Sequence, residues 1–166
     1  MQFIESHDIK PGMRLAKPVY NRHGVLLFDR NTKLTTQNII NLTNFGLIGI
    51  FILEPAEPLP PITKEEIEFE QLQTFYMFRL RDNLVNISKG KMPEDLPALA
   101  RDVVQHFGSL DHKVNFTQTI RSNTDFVYKH SIGVSIISAM IGHAMGLREN
   151  TLLSVVTAAF LYDFGY

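Results

Sequence analysis

Residues 54–61 read Glu-Pro-Ala-Glu-Pro-Leu-Pro-Pro, and four of the seven residues from Pro55 to Pro61 are proline. Proline has no backbone N–H to give to a helix or a sheet, and its ring fixes φ near −65°. Several in close succession hold a chain semi-rigid and extended. The chain before such a segment and the chain after it must therefore fold on separate patterns, and the two patterns differ. Before it, apolar residues fall in short runs between turn signals. After it, they recur at three- and four-residue steps. The expected organisation is a small module over 1–54, a linker over 55–62 and a helical domain over 63–166. The class is α+β, a β-rich module followed by an all-α bundle.

In the first module, Pro11-Gly12 forms a turn into a strand. Met13 to Tyr20 alternates loosely, and Pro18 makes it an edge strand. Asn21-Arg22-His23-Gly24 is a hairpin connection into a strand over Val25–Phe28. Thr35 is the N-cap of a helix that is expected to bury Ile39, Ile40, Leu42 and Phe45 before Gly46 stops it. Ile48–Leu53 reads as a last strand.

In the second part, Thr63-Lys64-Glu65-Glu66 is a capping box. Phe69, Leu72, Tyr76, Leu80, Leu84 and Ile87 then form one apolar stripe, ended by Gly90. Asp95 is placed to cap a second helix with Leu99, Val103, Val104 and Phe107 inward and Gly108 at its close. A third helix is expected over 109–121. Two strongly apolar helices, joined by a Gly-containing turn, fill 124–166.

Charge and composition narrow the function. The net charge is −1, so no positive field invites a nucleic acid polymer or an anionic membrane. There is no cysteine, which removes disulfides and thiolate metal sites and fits a reducing compartment. The first residues have no signal-peptide pattern. The apolar stretches over 132–147 and 152–162 are too short or too interrupted to span a bilayer. A cytoplasmic location is expected.

Two residues in the last helices carry candidate chemistry. His130 shares a helix face with Phe126, Val134, Ile137 and Ile141. Asp163 ends an apolar helix, where a carboxylate meets the unfavourable end of the dipole and needs a cation, a metal or water. The plainer alternatives are a helix-start histidine bonded to a carbonyl and a hydrated carboxylate. Ser131 reads as a helix-interior hydroxyl. His143, thirteen residues beyond His130, falls on roughly the opposite face at about 100° per residue and cannot share its ion. His7, His23, His106 and His112 read as surface residues.

Tyr128-Lys129-His130-Ser131, Gly142, Gly146-Leu147 and Ala158-Ala159-Phe160-Leu161-Tyr162-Asp163-Phe164-Gly165 together resemble the opening half of an HD-GYP domain. Such domains belong to the HD superfamily of metal-dependent phosphohydrolases, and typical members hydrolyse cyclic di-GMP. Residues 1–54 resemble a small domain often found before HD-GYP domains, through Pro11-Gly12-Met13, Leu15-Ala16, Gly24, Leu26-Leu27 and Leu34-Thr35. The resemblance implies an incomplete HD-type bundle. It sets His130 at the first metal-binding histidine and Asp163 at the aspartate of the His-Asp doublet. Tyr162 replaces the histidine of that doublet, and Tyr166 stands where the family has lysine. Phe126 cannot supply the carboxylate some members use for a third metal. The later ligands and the GYP signature are absent from these 166 residues.

The metal site is therefore expected to be vestigial. Intact relatives use a divalent metal, iron or manganese, and a two-metal centre needs several imidazole and carboxylate ligands. A phenol titrating near 10 is a poor substitute. No cofactor is expected in this chain. The expected function is the N-terminal portion of a cyclic di-GMP phosphodiesterase-like signalling protein with little or no activity of its own. The alternative is a non-enzymatic signalling or dimerisation module that keeps the HD-like fold. The expected partners are a second copy of the chain, meeting it through the 63–88 helix or the 124–163 pair, and a cyclic dinucleotide.

Overall fold

The short runs before the prolines form five strands around one helix in a computed structural model that describes residues 1–109 and 126–164. The strands are β1 (Gln2–Glu5), β2 (Arg14–Leu15), β3 (Val19–Tyr20), β4 (Leu26–Phe28) and β5 (Gly49–Leu53), with α1 (Thr36–Asn44) before the last. β5 is central in an antiparallel sheet of order β1-β5-β2, with Phe3 opposite Phe51 and Leu15 opposite Ile52. β3 and β4 make a separate antiparallel pair. The expected single strand over Met13–Tyr20 is instead two strands in different sheets. Pro18, which has no donor, falls at the break. Asn21 closes the β3–β4 hairpin with its side-chain oxygen, which accepts from the N–H groups of His23 and Val25 at 2.9 and 3.0 Å. Gly24 takes the left-handed φ of 73° there.

α1 starts as expected, its Asn38 N–H donating to the Thr35 hydroxyl at 3.2 Å, and Gly46 lies just beyond it at φ 67°. Its buried face is narrower than expected. Leu42 is buried, while Ile40 and Phe45 are about half exposed. β1 has no signal of its own in the sequence, since Gln-Phe-Ile-Glu is too short to announce a strand without its partner β5.

After the prolines come α2 (Lys64–Ser88), α3 (Leu96–Phe107), α4 (Phe126–Ala144) and α5 (Glu149–Leu161). Among the described residues this is an α+β fold with a helical bundle. The capping box forms in full: the Thr63 N–H donates to Glu66 at 2.8 Å and the Glu66 N–H to the Thr63 hydroxyl at 3.2 Å. The molecule divides into two compact units between Phe75 and Tyr76, inside α2. In the first, Lys17 pairs with Glu70, and Gln71 Nε2 donates to the Gly24 carbonyl at 2.5 Å. The proline-rich segment lies on that same unit, where Arg14 Nη2 donates to the Glu57 carbonyl at 2.6 Å.

In the second unit α3, α4 and α5 pack against one another around Leu99, Val103, Ile132, Ile136, Val156 and Phe160, all essentially inaccessible. Asp95 precedes α3 without the expected side-chain cap. Its carboxylate goes to Arg79 instead. The inward set of α3 is Leu96, Leu99, Ala100, Val103 and Phe107, with Val104 only half buried. The expected helix over 109–121 lies outside the described residues beyond 109. Among the described residues no helix is long and apolar enough to cross a membrane.

Candidate functional site

The turn between α4 and α5 sets their geometry. The Leu147 N–H donates to the Gly142 carbonyl at 3.0 Å and the Gly146 N–H to the His143 carbonyl at 2.9 Å, with Gly146 at φ 65°. This is the Schellman closure of a helix, and it reverses the chain at once into α5. Gly142 permits a very close approach of the two helices. A Cβ there would stand 2.4 Å from Leu152 Cδ1, well inside van der Waals contact. One arm of this hairpin leads back to His130 on α4 and the other forward to Tyr162 at the end of α5.

His130 and Tyr162 meet. The His130 Nε2 and the Tyr162 hydroxyl share a short hydrogen bond, and the two rings lie 5.8 Å apart, tilted by 55°. His130 is half buried and Tyr162 is 52% exposed. Partial desolvation, and then the Asp163 carboxylate beside it, push the Tyr162 phenol above its ordinary value. The phenol therefore holds its proton at neutral pH. Whichever partner donates, Nε2 is engaged: it either accepts the phenolic proton with its lone pair or spends its own N–H on the phenolic oxygen. Asp163 lies in the turn after α5, half buried, and acts on the phenol through its charge. His130 Nε2 is thus bonded to the Tyr162 hydroxyl. Ser131 is buried, and its carbonyl accepts from the Ser135 hydroxyl at 2.7 Å. Tyr166 and the side chain of Phe126 lie outside what is described.

A divalent two-metal centre needs a converging set of imidazole and carboxylate donors. Among the described residues no three His, Asp or Glu side chains converge in that way. Among the described residues His130 and Asp163 supply one imidazole and one carboxylate, short of such a donor set, and His130 Nε2 is bonded to the Tyr162 hydroxyl.

One polar cluster is not among the sequence candidates. Arg79 donates through Nε and Nη2 to both oxygens of Asp95 at 2.7 Å each, and through Nη1 to Asp102. Near it, His106 Nδ1 lies 2.8 Å from the Asp102 carbonyl and 3.2 Å from the hydroxyl of the buried Tyr76. A carbonyl only accepts, so the proton is on Nδ1. His106 is exposed, as expected, and its ring also ties α3 to Tyr76 of α2. The available hints were an arginine between Tyr76 and Leu80 on an apolar helix and the four-residue spacing of Asp102 and His106. His7 and His23 are exposed, and His112 is not among the described residues. Comparison with protein-family models, with curated proteins and with solved structures finds no match to this chain.

Proposed function

We propose that this chain is a cytoplasmic signalling module of the HD-GYP type, phosphodiesterase-like in fold and without hydrolytic activity of its own. The observation that carries the reading is the Tyr162 phenol bonded to His130 Nε2, at the two positions where the motif comparison puts the doublet and the first metal ligand. A phenol in place of imidazole removes one nitrogen donor and occupies a second. Without a pair of ions there is nothing to activate water or to neutralise the phosphate of cyclic di-GMP. On this reading the fold is retained for binding and association, and a cyclic dinucleotide is a ligand and not a substrate.

Calorimetric titration with Mn²⁺ tests it. The wild-type chain is expected to show no stoichiometric tight binding and no hydrolysis of cyclic di-GMP. Tyr162→His, which restores the doublet beside His130, is expected to gain Mn²⁺ binding that His130→Ala removes. Tight binding by the wild type that depends on His130 sinks the closed-site reading. Hydrolysis of cyclic di-GMP by the wild-type chain sinks the reading of a chain without activity of its own.

A further inference from the structure

Within the second unit, α3 and α5 leave an open groove of about 420 Å³ between them. Its α5 wall is two adjacent rows at four-residue steps: Leu153, Thr157 and Leu161, half buried, and Ser154 and Ala158, exposed. Its α3 wall is the buried Ala100 with Pro97 and Arg101 at exposed positions. Alanine at 100 and 158 leaves space that longer side chains would fill. The lining is aliphatic apart from three polar side chains. The Ser154 hydroxyl donates to the Asn150 carbonyl at 2.9 Å, and the Thr157 hydroxyl to the Leu153 carbonyl at 2.7 Å. Their protons are spent along the helix, so only oxygen lone pairs are left to offer. Arg101 offers a cation. Arg14, Arg30 and Arg79 each give hydrogen bonds to carbonyl or carboxylate oxygens, whereas Arg101 has no hydrogen bond or ion pair among the described residues. The neighbouring Asp102 is engaged by Arg79, and residues 150–162 contain no Asp or Glu.

We infer that this groove binds a small organic carboxylate with an apolar body and an N–H or O–H group. The body lies between α3 and α5, the carboxylate meets Arg101, and the N–H or O–H is given to the Ser154 or Thr157 oxygen. Small-molecule sites occupy about 300–1,000 Å³ and are mostly apolar, with a few polar groups that fix orientation. This groove has that size and that make-up. A guanidinium takes a carboxylate through two parallel hydrogen bonds, which selects a planar anion. The wall from Leu153 to Leu161 runs for about 12 Å of helix, short of the roughly 16–22 Å that an average partner helix of three to four turns would cover. The space therefore suits a small molecule better than a docked helix. His130, Tyr162 and Asp163 are not part of the lining, so the inference goes beyond the proposed function and does not depend on it.

Nuclear magnetic resonance titration of the full chain with indole-3-propionate tests this, since that probe carries a carboxylate, an apolar ring and one N–H. The wild type is expected to bind at one saturable site, with the amide resonances of Ala100, Arg101, Ser154 and Ala158 moving most. Arg101→Gln is expected to weaken binding at least fivefold, and so is replacing the probe by the uncharged indole-3-propionamide. The two losses do not add, because each removes the same contact. Ala158→Leu, folded by circular dichroism, fills the groove and is expected to abolish binding. Ser154→Leu, on the same wall, gives that reading should Ala158→Leu fail to fold. Absence of saturable binding by the wild type overturns the inference, as does binding indifferent to both the charge and the filling variants. Equal binding of acid and amide overturns the role of Arg101. An acidic peptide that moves these resonances where the probe does not assigns the groove to a protein partner, which also overturns it.

Discussion

Arg79 shows at the level of single residues how a charge pair displaces a local rule. An aspartate just before a helix ordinarily accepts from the first backbone N–H groups. Asp95 instead accepts two hydrogen bonds from a guanidinium that is 16% exposed, and those bonds are the main reason its carboxyl is held below the usual range. Charge-assisted, bidentate pairing outweighs a cap worth about 1 kcal/mol. Arg79→Met is expected to cost about 2 kcal/mol in urea unfolding, since Asp95 and Asp102 both lose their partner. The pH dependence comes from the depressed folded value of Asp95. The pair contributes in full above the unfolded carboxylate value, about 3.9, and the contribution is lost as pH falls through the lower folded value. Asp95→Asn is expected to flatten that acid limb modestly, because a side chain 48% exposed is screened by solvent. A wild-type acid limb identical to that of Asp95→Asn would contradict the assignment. The partners of Arg79 lie 16 and 23 residues away, beyond the reach of helical periodicity.

Among the elements, the α4–α5 hairpin was the most legible. Its two apolar segments, its Gly142 and its Gly146-Leu147 turn all stand in the sequence, and the turn closes as such residues dictate. What the pattern did not contain was the closeness of the helices at Gly142. That closeness depends on Leu152 arriving from the other arm. A valine at 142 has to push the buried Leu152 and the half-buried Leu147 aside, so Gly142→Val is expected to cost about 2 kcal/mol by overpacking, read as a fall in thermal midpoint. It should also part His130 from Tyr162, visible as a change in the His130 ring resonances. α1 taught the opposite lesson. Its cap was readable, and its buried face was not, because Ile40 and Phe45 sit on an amphipathic pattern yet stay about half exposed, and what covers an apolar residue is decided by tertiary packing.

Across the whole molecule, each unit has its own apolar centre: Leu15, Leu34 and Leu42 in the first, Leu99, Ile132, Val156 and Phe160 in the second. Phe160 is fully inaccessible, and Phe160→Ala is expected to cost about 4 kcal/mol, a large share of an ordinary domain's stability, as measured by calorimetric unfolding. The sequence alone determined the kinds of element, their approximate order and the α+β class, because turn residues, caps and periods of 2 and 3.6 act over a few neighbouring residues. It also singled out His130, on α4, and Tyr162 and Asp163, just beyond α5. Only the tertiary structure decided that β5 lies between β1 and β2, that Asp95 serves Arg79, and that the His130 ring meets the phenol of Tyr162. Each of those is a pairing across many residues, and its partner is chosen by packing and by the turn that aims the two elements. A local pattern holds no record of that choice.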